Sequence, residues 1–298
     1  MNDTAATTTA TAEPVGAPLQ PSADDLPEMV IRPRRGWINV NWAEMFHYRE
    51  LLYFLVWRDV KVRYKQTLLG VAWAVIQPLF NMIVFTVIFG GLAKISTGDE
   101  SLPYAVFVYA GLLPWTFFAS SLSQGGQSLV NQGHLLTKIY FPRLFVPAAV
   151  VGGALLDLAI SFGIYGLILG WYGYPPSWQI IYLPLLVLWT AVATLGITIA
   201  MSAFTLIFRD FRFVLPFLVQ AWLYMSPVVY PVSVVPAPYR WVLSLNPMTG
   251  IIQAYRSAIL GRPWEIQPML ISLAVSVGVM FFGLFYFRRT ERRFADIA

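Results

Sequence analysis

The chain has 298 residues, 57% of them hydrophobic and only 12% charged, with a mean hydropathy of +0.62. A soluble globular chain carries roughly 25% charged residues, so this composition places the protein among polytopic membrane proteins. The lack of cysteine excludes disulfides, zinc–thiolate sites and iron–sulfur clusters, and two histidines are too few for a multi-histidine metal site.

The formal charge of +5 sits beside apolar runs, where it reports orientation and attraction to acidic headgroups rather than nucleic-acid binding. Residues 1–35 are rich in Ala, Thr and Pro without periodicity, which predicts a disordered cytoplasmic tail. They lack the basic start and apolar h-region of a cleaved signal peptide. Residues 44–66 predict an amphipathic interface helix. His47, Glu50, Arg58, Lys61 and Lys65 gather on one face, and Leu51, Leu55 and Val62, with Tyr53 and Trp57, supply a flank that can lie in a headgroup layer. Charge then vanishes, and residues 71–92 are long and apolar enough to cross a hydrocarbon layer of roughly 30 Å.

Further apolar runs at 102–123, 144–171, 180–208, 213–230 and 266–287 bring the expected spans to six. Of the 20 Lys and Arg residues, 16 fall on one set of alternating segments and 4 on the other, which puts both termini on the cytoplasmic side. The segment after the fifth span, residues 231–265, is too apolar for a solvated loop, yet its pieces 241–245 and 248–260 are too short to cross. Re-entrant or interfacial half-helices capping the outer mouth are expected there. The fold class is therefore an all-α membrane protein.

Several motifs carry more than one reading. The loop at 124–143 is expected to hold a short helix, 128–139, stopped by Pro142; it suits docking to a soluble partner or is an ordinary connection. Leu122-Ser-Gln-Gly-Gly-Gln127 resembles the Leu-Ser-Gly-Gly-Gln signature of ABC ATPases with one inserted residue, but the chain has no phosphate-binding loop, so the match is treated as chance. Asp157 is the only acid inside an expected span. Proton coupling needs further ionisable partners along a path, so a structural role facing the protein interior is the competing reading. Trp73, Trp115, Phe118, Trp222 and Tyr224 lie in or near spans. They serve either as core packing or as aromatic faces on which a glycan slides. The cluster Arg58, Lys61, Arg63 and Lys65 attracts anionic lipid in general or a lipid-linked diphosphate in particular.

These residues carry a resemblance. Arg58-Asp-Val-Lys-Val-Arg-Tyr-Lys-Gln-Thr-Leu-Leu-Gly-Val-Ala-Trp73 with Pro78 and Leu79, then Lys138-Ile-Tyr-Phe-Pro-Arg143, Ser226-Pro-Val228 with Tyr230, and Asn246-Pro247 followed by Tyr255-Arg256 occur in order over residues 44–289. Together they resemble the permease subunit of type 2 ABC exporters for polysaccharides, the O-antigen and teichoic-acid group. The resemblance implies a transmembrane domain over residues 36–298 of a bacterial inner-membrane permease that exports a polyprenyl-diphosphate-linked polysaccharide. It also implies that two copies of this chain form the channel and that two cytoplasmic ABC ATPases hold the ATP and magnesium, leaving no cofactor and no catalytic residue on this chain. Asn131, His134, Leu135 and Lys138 would rest on the ATPases, together with the interface helix.

Capsule, teichoic acid or a small lipid or drug are alternative cargoes. A membrane-embedded transferase is the alternative from another class, but it needs converging acid, base or nucleophile groups, and Asp157, His47 and His134 are scattered. A passive scaffold is the third.

Overall fold

The computed structural model describes residues 42–65, 70–99, 101–132 and 141–291. The expected tail at 1–35 and the residues at 133–140, including His134, Leu135 and Lys138, lie outside them. Among the described residues every regular element is helical.

A short α1 (Trp42–His47) leads into α2 (Arg49–Lys65). The first apolar helix, α3 (Gly70–Phe85), runs on as a π-helical stretch, Thr86–Leu92. Helices α4 (Tyr104–Gly125), α5 (Ser128–Asn131), α6 (Phe145–Trp171), α7 (Leu183–Ile207) and α8 (Phe211–Met225) follow, with a 3₁₀ turn, Trp178–Tyr182, leading into α7. Two short helices, α9 (Arg240–Ser244) and α10 (Pro247–Leu260), precede α11 (Ile266–Glu291). Among the described residues, five helical segments are long and apolar enough to cross a membrane: Ala72–Leu92, Tyr104–Gly125, Phe145–Trp171, Trp178–Ile207 and Ile266–Glu291.

The expected fifth span at 213–230 is helical in part. Its helix, α8, stops at Met225 after 15 residues, about 22 Å of rise, because Ser226 turns extended ahead of Pro227. The helix expected at 128–139 covers only Ser128–Asn131 among the described residues. The expected half-helices at 241–245 and 248–260 are present as α9 and α10, each within one residue at the first turn.

Helix α4 is the axis of the molecule. It is apolar on every side, as a helix surrounded by other helices must be, and α3, α6, α7, α8 and α10 all pack on it. Helix α3 is the reverse case: Trp73, Ile76, Phe80 and Ile83 point away from the protein, so this helix lies at the edge of the bundle.

Helix α11 lies along α7, and small residues set how close they come. A Cβ added at Gly196 of α7 would lie 2.5 Å from the Met280 Cα of α11, and Gly283 faces Gly196 across the same crossing. Without water to drive association inside a bilayer, such backbone approach is a main source of helix pairing. Gly196→Ala should therefore cost about 1–3 kcal/mol of packing energy, read as a lower melting midpoint of the detergent-solubilised protein. Gly166→Ala on α6, where an added Cβ meets nothing within 4 Å, should leave the midpoint unchanged or raise it.

Candidate functional site

Two polar centres lie at opposite ends of α4, marked by Gln124 and Phe107, which are separated by about 25 Å of helical rise. The first gathers around α2. Leu55 is buried in one apolar cluster with Phe145, Val146 and Ala149, so α2 is packed into the protein and is not simply afloat in a headgroup layer. Its outward residues are Tyr53, Phe54 and Trp57, while Arg58 and Arg63 turn towards the bundle. Of the charged residues expected on one face, His47, Glu50, Lys61 and Lys65 are exposed and Arg58 turns inward to Asp59 and Gln132.

Asp157 sits twelve residues into α6, where a lone carboxylate would be poorly solvated. Arg63 makes an ion pair with it, and the Tyr64 hydroxyl donates to its other oxygen. Burial, and then the bond to Asp157, push the Tyr64 phenol above its ordinary value, which keeps it a donor. The second Arg63 nitrogen donates to Gln124 Oε1 at the end of α4, at 2.7 Å. One turn and a half earlier, Arg58 donates to Asp59 at 2.8 Å and to Gln132 Oε1 at 3.0 Å. Between these groups lies an open cleft of about 580 Å³, lined by Arg58, Arg63, Gln124, Gln127, Asn131 and Gln132. Lys61 and Lys65 are exposed.

The second centre holds the half-helices. Asn246 caps α10, its side chain accepting from the Met248 N–H at 3.0 Å; Pro247 occupies the first turn and Gly261 ends the helix in the left-handed conformation. Asn246 also accepts from the Trp222 indole at 3.0 Å and donates to Ser226 Oγ at 2.8 Å, tying α10 to the end of α8.

Arg256 is 4% exposed, and a guanidinium keeps its charge when buried. It donates to the carbonyls of Pro227 at 2.7 Å, Val228 at 2.6 Å and Phe107 at 3.4 Å, and lies 3.6 Å from the centre of the Phe107 ring. The break after α8 leaves carbonyls without helical partners, and Arg256 supplies the donors they lack. Beside it, a pocket of about 310 Å³ is lined by Arg256, Arg262, Gln253 and Glu265.

The structure unites some of the residues singled out in the sequence and separates others. Trp115, Phe118 and Trp222 form one cluster joining α4 to α8, with ring centres 5.5 and 5.0 Å apart. Trp115 and Phe118 are buried within it. Trp73 and Tyr224 are exposed and stand outside it. Asn131 lines the cleft beside α2. Sequence reasoning left Asp157 without its partners because Arg63 was grouped with the lipid-facing charges. It quoted Arg256 without giving it a role. The available signal was the same in both cases, a single charge flanked on each side by a full helical turn of uncharged residues.

Replacing Arg256 by Gln leaves at least one of the three carbonyls without a donor, at about 1–3 kcal/mol for each group left unsatisfied. The expected result is faster amide hydrogen exchange at residues 226–230 and 247–256, while α2 and α6 keep native protection.

The family profile described as ABC-2 type transporter matches residues 50–260. The chain is similar to the O-antigen export system permease protein RfbA of Myxococcus xanthus, 30% identical over 258 residues, covering 85% of this chain and 97% of that one. It is 27% identical over 249 residues to the protein of the same name from Klebsiella pneumoniae, covering 83% and 95%. It is 26% identical over 248 residues to the polysialic acid transport protein KpsM of Escherichia coli, covering 78% and 91%.

Proposed function

Since the chain belongs to the ABC-2 type transporter family, we propose that it is the permease subunit of a polysaccharide exporter whose cargo is a polyprenyl-diphosphate-linked glycan such as O-antigen. It is a multi-pass membrane protein and a transport component rather than an enzyme, and ABC-2 permeases work with ATPase subunits. The observation that carries the cargo is the similarity to two O-antigen export permeases over 97% and 95% of their lengths. A capsular polymer is the second reading, favoured by the similarity to the polysialic acid transport protein.

In this reading two copies of the chain line the path in the bacterial inner membrane, and two cytoplasmic ATPases bind ATP and magnesium below them. The charge distribution supports six crossings with both termini cytoplasmic. The fifth crossing needs α8 together with the extended residues 226–230, and α9 and α10 form the outer cap as re-entrant half-helices.

The exposed side chains Trp73 and Tyr224 offer aromatic faces to a passing polymer, and Trp115, Phe118 and Trp222 stiffen the wall behind them. Arg58 and Arg63 already have partners in the protein, so exposed Lys61 and Lys65 attract the lipid diphosphate first, at the mouth of the arginine-lined cleft. Asn131, with His134, Leu135 and Lys138, takes the contact with the ATPase.

Deleting the gene while the ATPase is still made should strip the long-chain polymer from the cell surface and leave its lipid-linked precursor inside. Lys61→Glu with Lys65→Glu should lower the export rate several-fold while the complex still assembles. Surface polymer of native length in the deletion strain overturns the reading; polymer tracking by immunoblot and labelled-precursor chromatography decides it.

A further inference from the structure

The interface between α2 and α6 is mostly smooth. Leu55 shares one apolar cluster with Phe145, Val146 and Ala149. Val56 lies over Gly152, where an added Cβ would come 2.9 Å from its Cγ2, and Val60 lies over Gly153. Apolar side chains over glycine resist separation, because parting them exposes surface, but they resist sliding only weakly. One contact in this interface has direction: Asp157 held by the Arg63 guanidinium and the Tyr64 hydroxyl. It lies at the end of α2 next to the first span, and it meets α6 near the middle of its 27 residues. Both side chains are partly buried, so parting them leaves each charge poorly compensated.

The other nitrogen of Arg63 has a different kind of partner. Gln124 is neutral and exposed, and its bond to Arg63 can be exchanged for one to water at little cost. The same holds for Arg58 and Gln132, which face the open cleft. The contacts from α2 to α6 are therefore ionic and costly to break, whereas those from α2 to α4 and its following loop are neutral and cheap.

We propose that Arg63, Tyr64 and Asp157 are positioning residues that fasten α2 to α6, so that the two helices move as one body past the end of α4 when nucleotide drives the exporter. This rests on the reading of the chain as an ATP-driven permease and deepens it, naming the joint by which motion of the interface helix enters the spans. Rigid-body displacement of packed helices by about 1–2 Å or more is the usual form of such transitions. The cleft of about 580 Å³ beside α2 is the space that this displacement opens and closes.

The chain has no cysteine, so label pairs can be placed without background. Spin labels at Phe54→Cys and Leu167→Cys, both exposed positions on α2 and α6, report the fastened pair. Labels at Phe54→Cys and Ser123→Cys report α2 against α4. In the intact complex with its ATPase, the first distance should stay within about 2 Å between the nucleotide-free and the ATP–vanadate-trapped states, while the second shifts by more.

In Asp157→Asn the first distance should shift and broaden on trapping, and the ATP consumed per glycan exported should rise about tenfold. The charge swap Arg63→Asp with Asp157→Arg should restore both. Tyr64→Phe, which keeps the ion pair and removes one hydrogen bond, gives an intermediate value and serves where Asp157→Asn fails to assemble.

A native first distance that changes with nucleotide, or an Asp157→Asn complex with native distances and native coupling, overturns the joint while leaving the export reading intact. A second distance that never responds to nucleotide in the native complex overturns the movement of α2 past α4, whereas surface polymer in the deletion strain overturns the export reading itself.

Discussion

An isolated charge within a bilayer-spanning bundle has no water to turn to, and this one constraint shapes both ends of the molecule. Among the described residues two charges stand out in this way, the partly buried Asp157 on α6 and the buried Arg256 on α10. Each is satisfied by groups drawn from a distant part of the chain: Arg63 and Tyr64 for the first, the carbonyls of residues 107, 227 and 228 for the second. Helix α2 is held to α6 because Asp157 needs a cation there, and α10 is held to α4 and to the break after α8 because Arg256 needs acceptors. In both places a polar group inside apolar surroundings selects one register of packing where apolar contact alone would accept several.

The two centres differ in kind, and the difference bears on what each end can do. At Asp157 a cation meets an anion, a strong pair with two further neutral bonds around it that water can replace. Such a joint suits an element that must carry displacement. At Arg256 a cation meets three carbonyl dipoles and an aromatic face, all buried. Moving α10 as a separate piece would strand every one of these groups, so the half-helix, the start of α4 and residues 227–228 are held as one unit.

Much of this architecture was legible in the sequence. The long apolar runs fixed the five spanning helices closely, because a run of twenty or more uncharged residues has few other structures open to it. The half-helix α10 was visible for a local reason: Asn246 and Pro247 start it, Gly261 ends it, and all three act through backbone chemistry that needs no tertiary context. The helix of the expected fifth span ends early for a local reason that hydropathy does not weigh. Residues 226–230 are as apolar as the helix before them, but Ser226 precedes proline and leaves the helical region.

The site residues were harder to read because their meaning lies in pairings across 94 residues for Arg63 with Asp157 and 149 for Arg256 with Phe107. Grouping the basic residues by their closeness in sequence put Arg58 and Arg63 in one lipid-attracting cluster with Lys61 and Lys65, whereas the fold divides them. The arginines reach inward to carboxylate and amide acceptors, and the lysines stay outside. The division follows the chemistry of the two cations: a planar, weakly hydrated guanidinium can grip a carboxylate on one side and an amide on the other, while an ammonium is a compact and strongly hydrated charge that is costly to bring inside. A single basic cluster is thereby divided along one helix, its arginines binding the bundle and its lysines standing exposed.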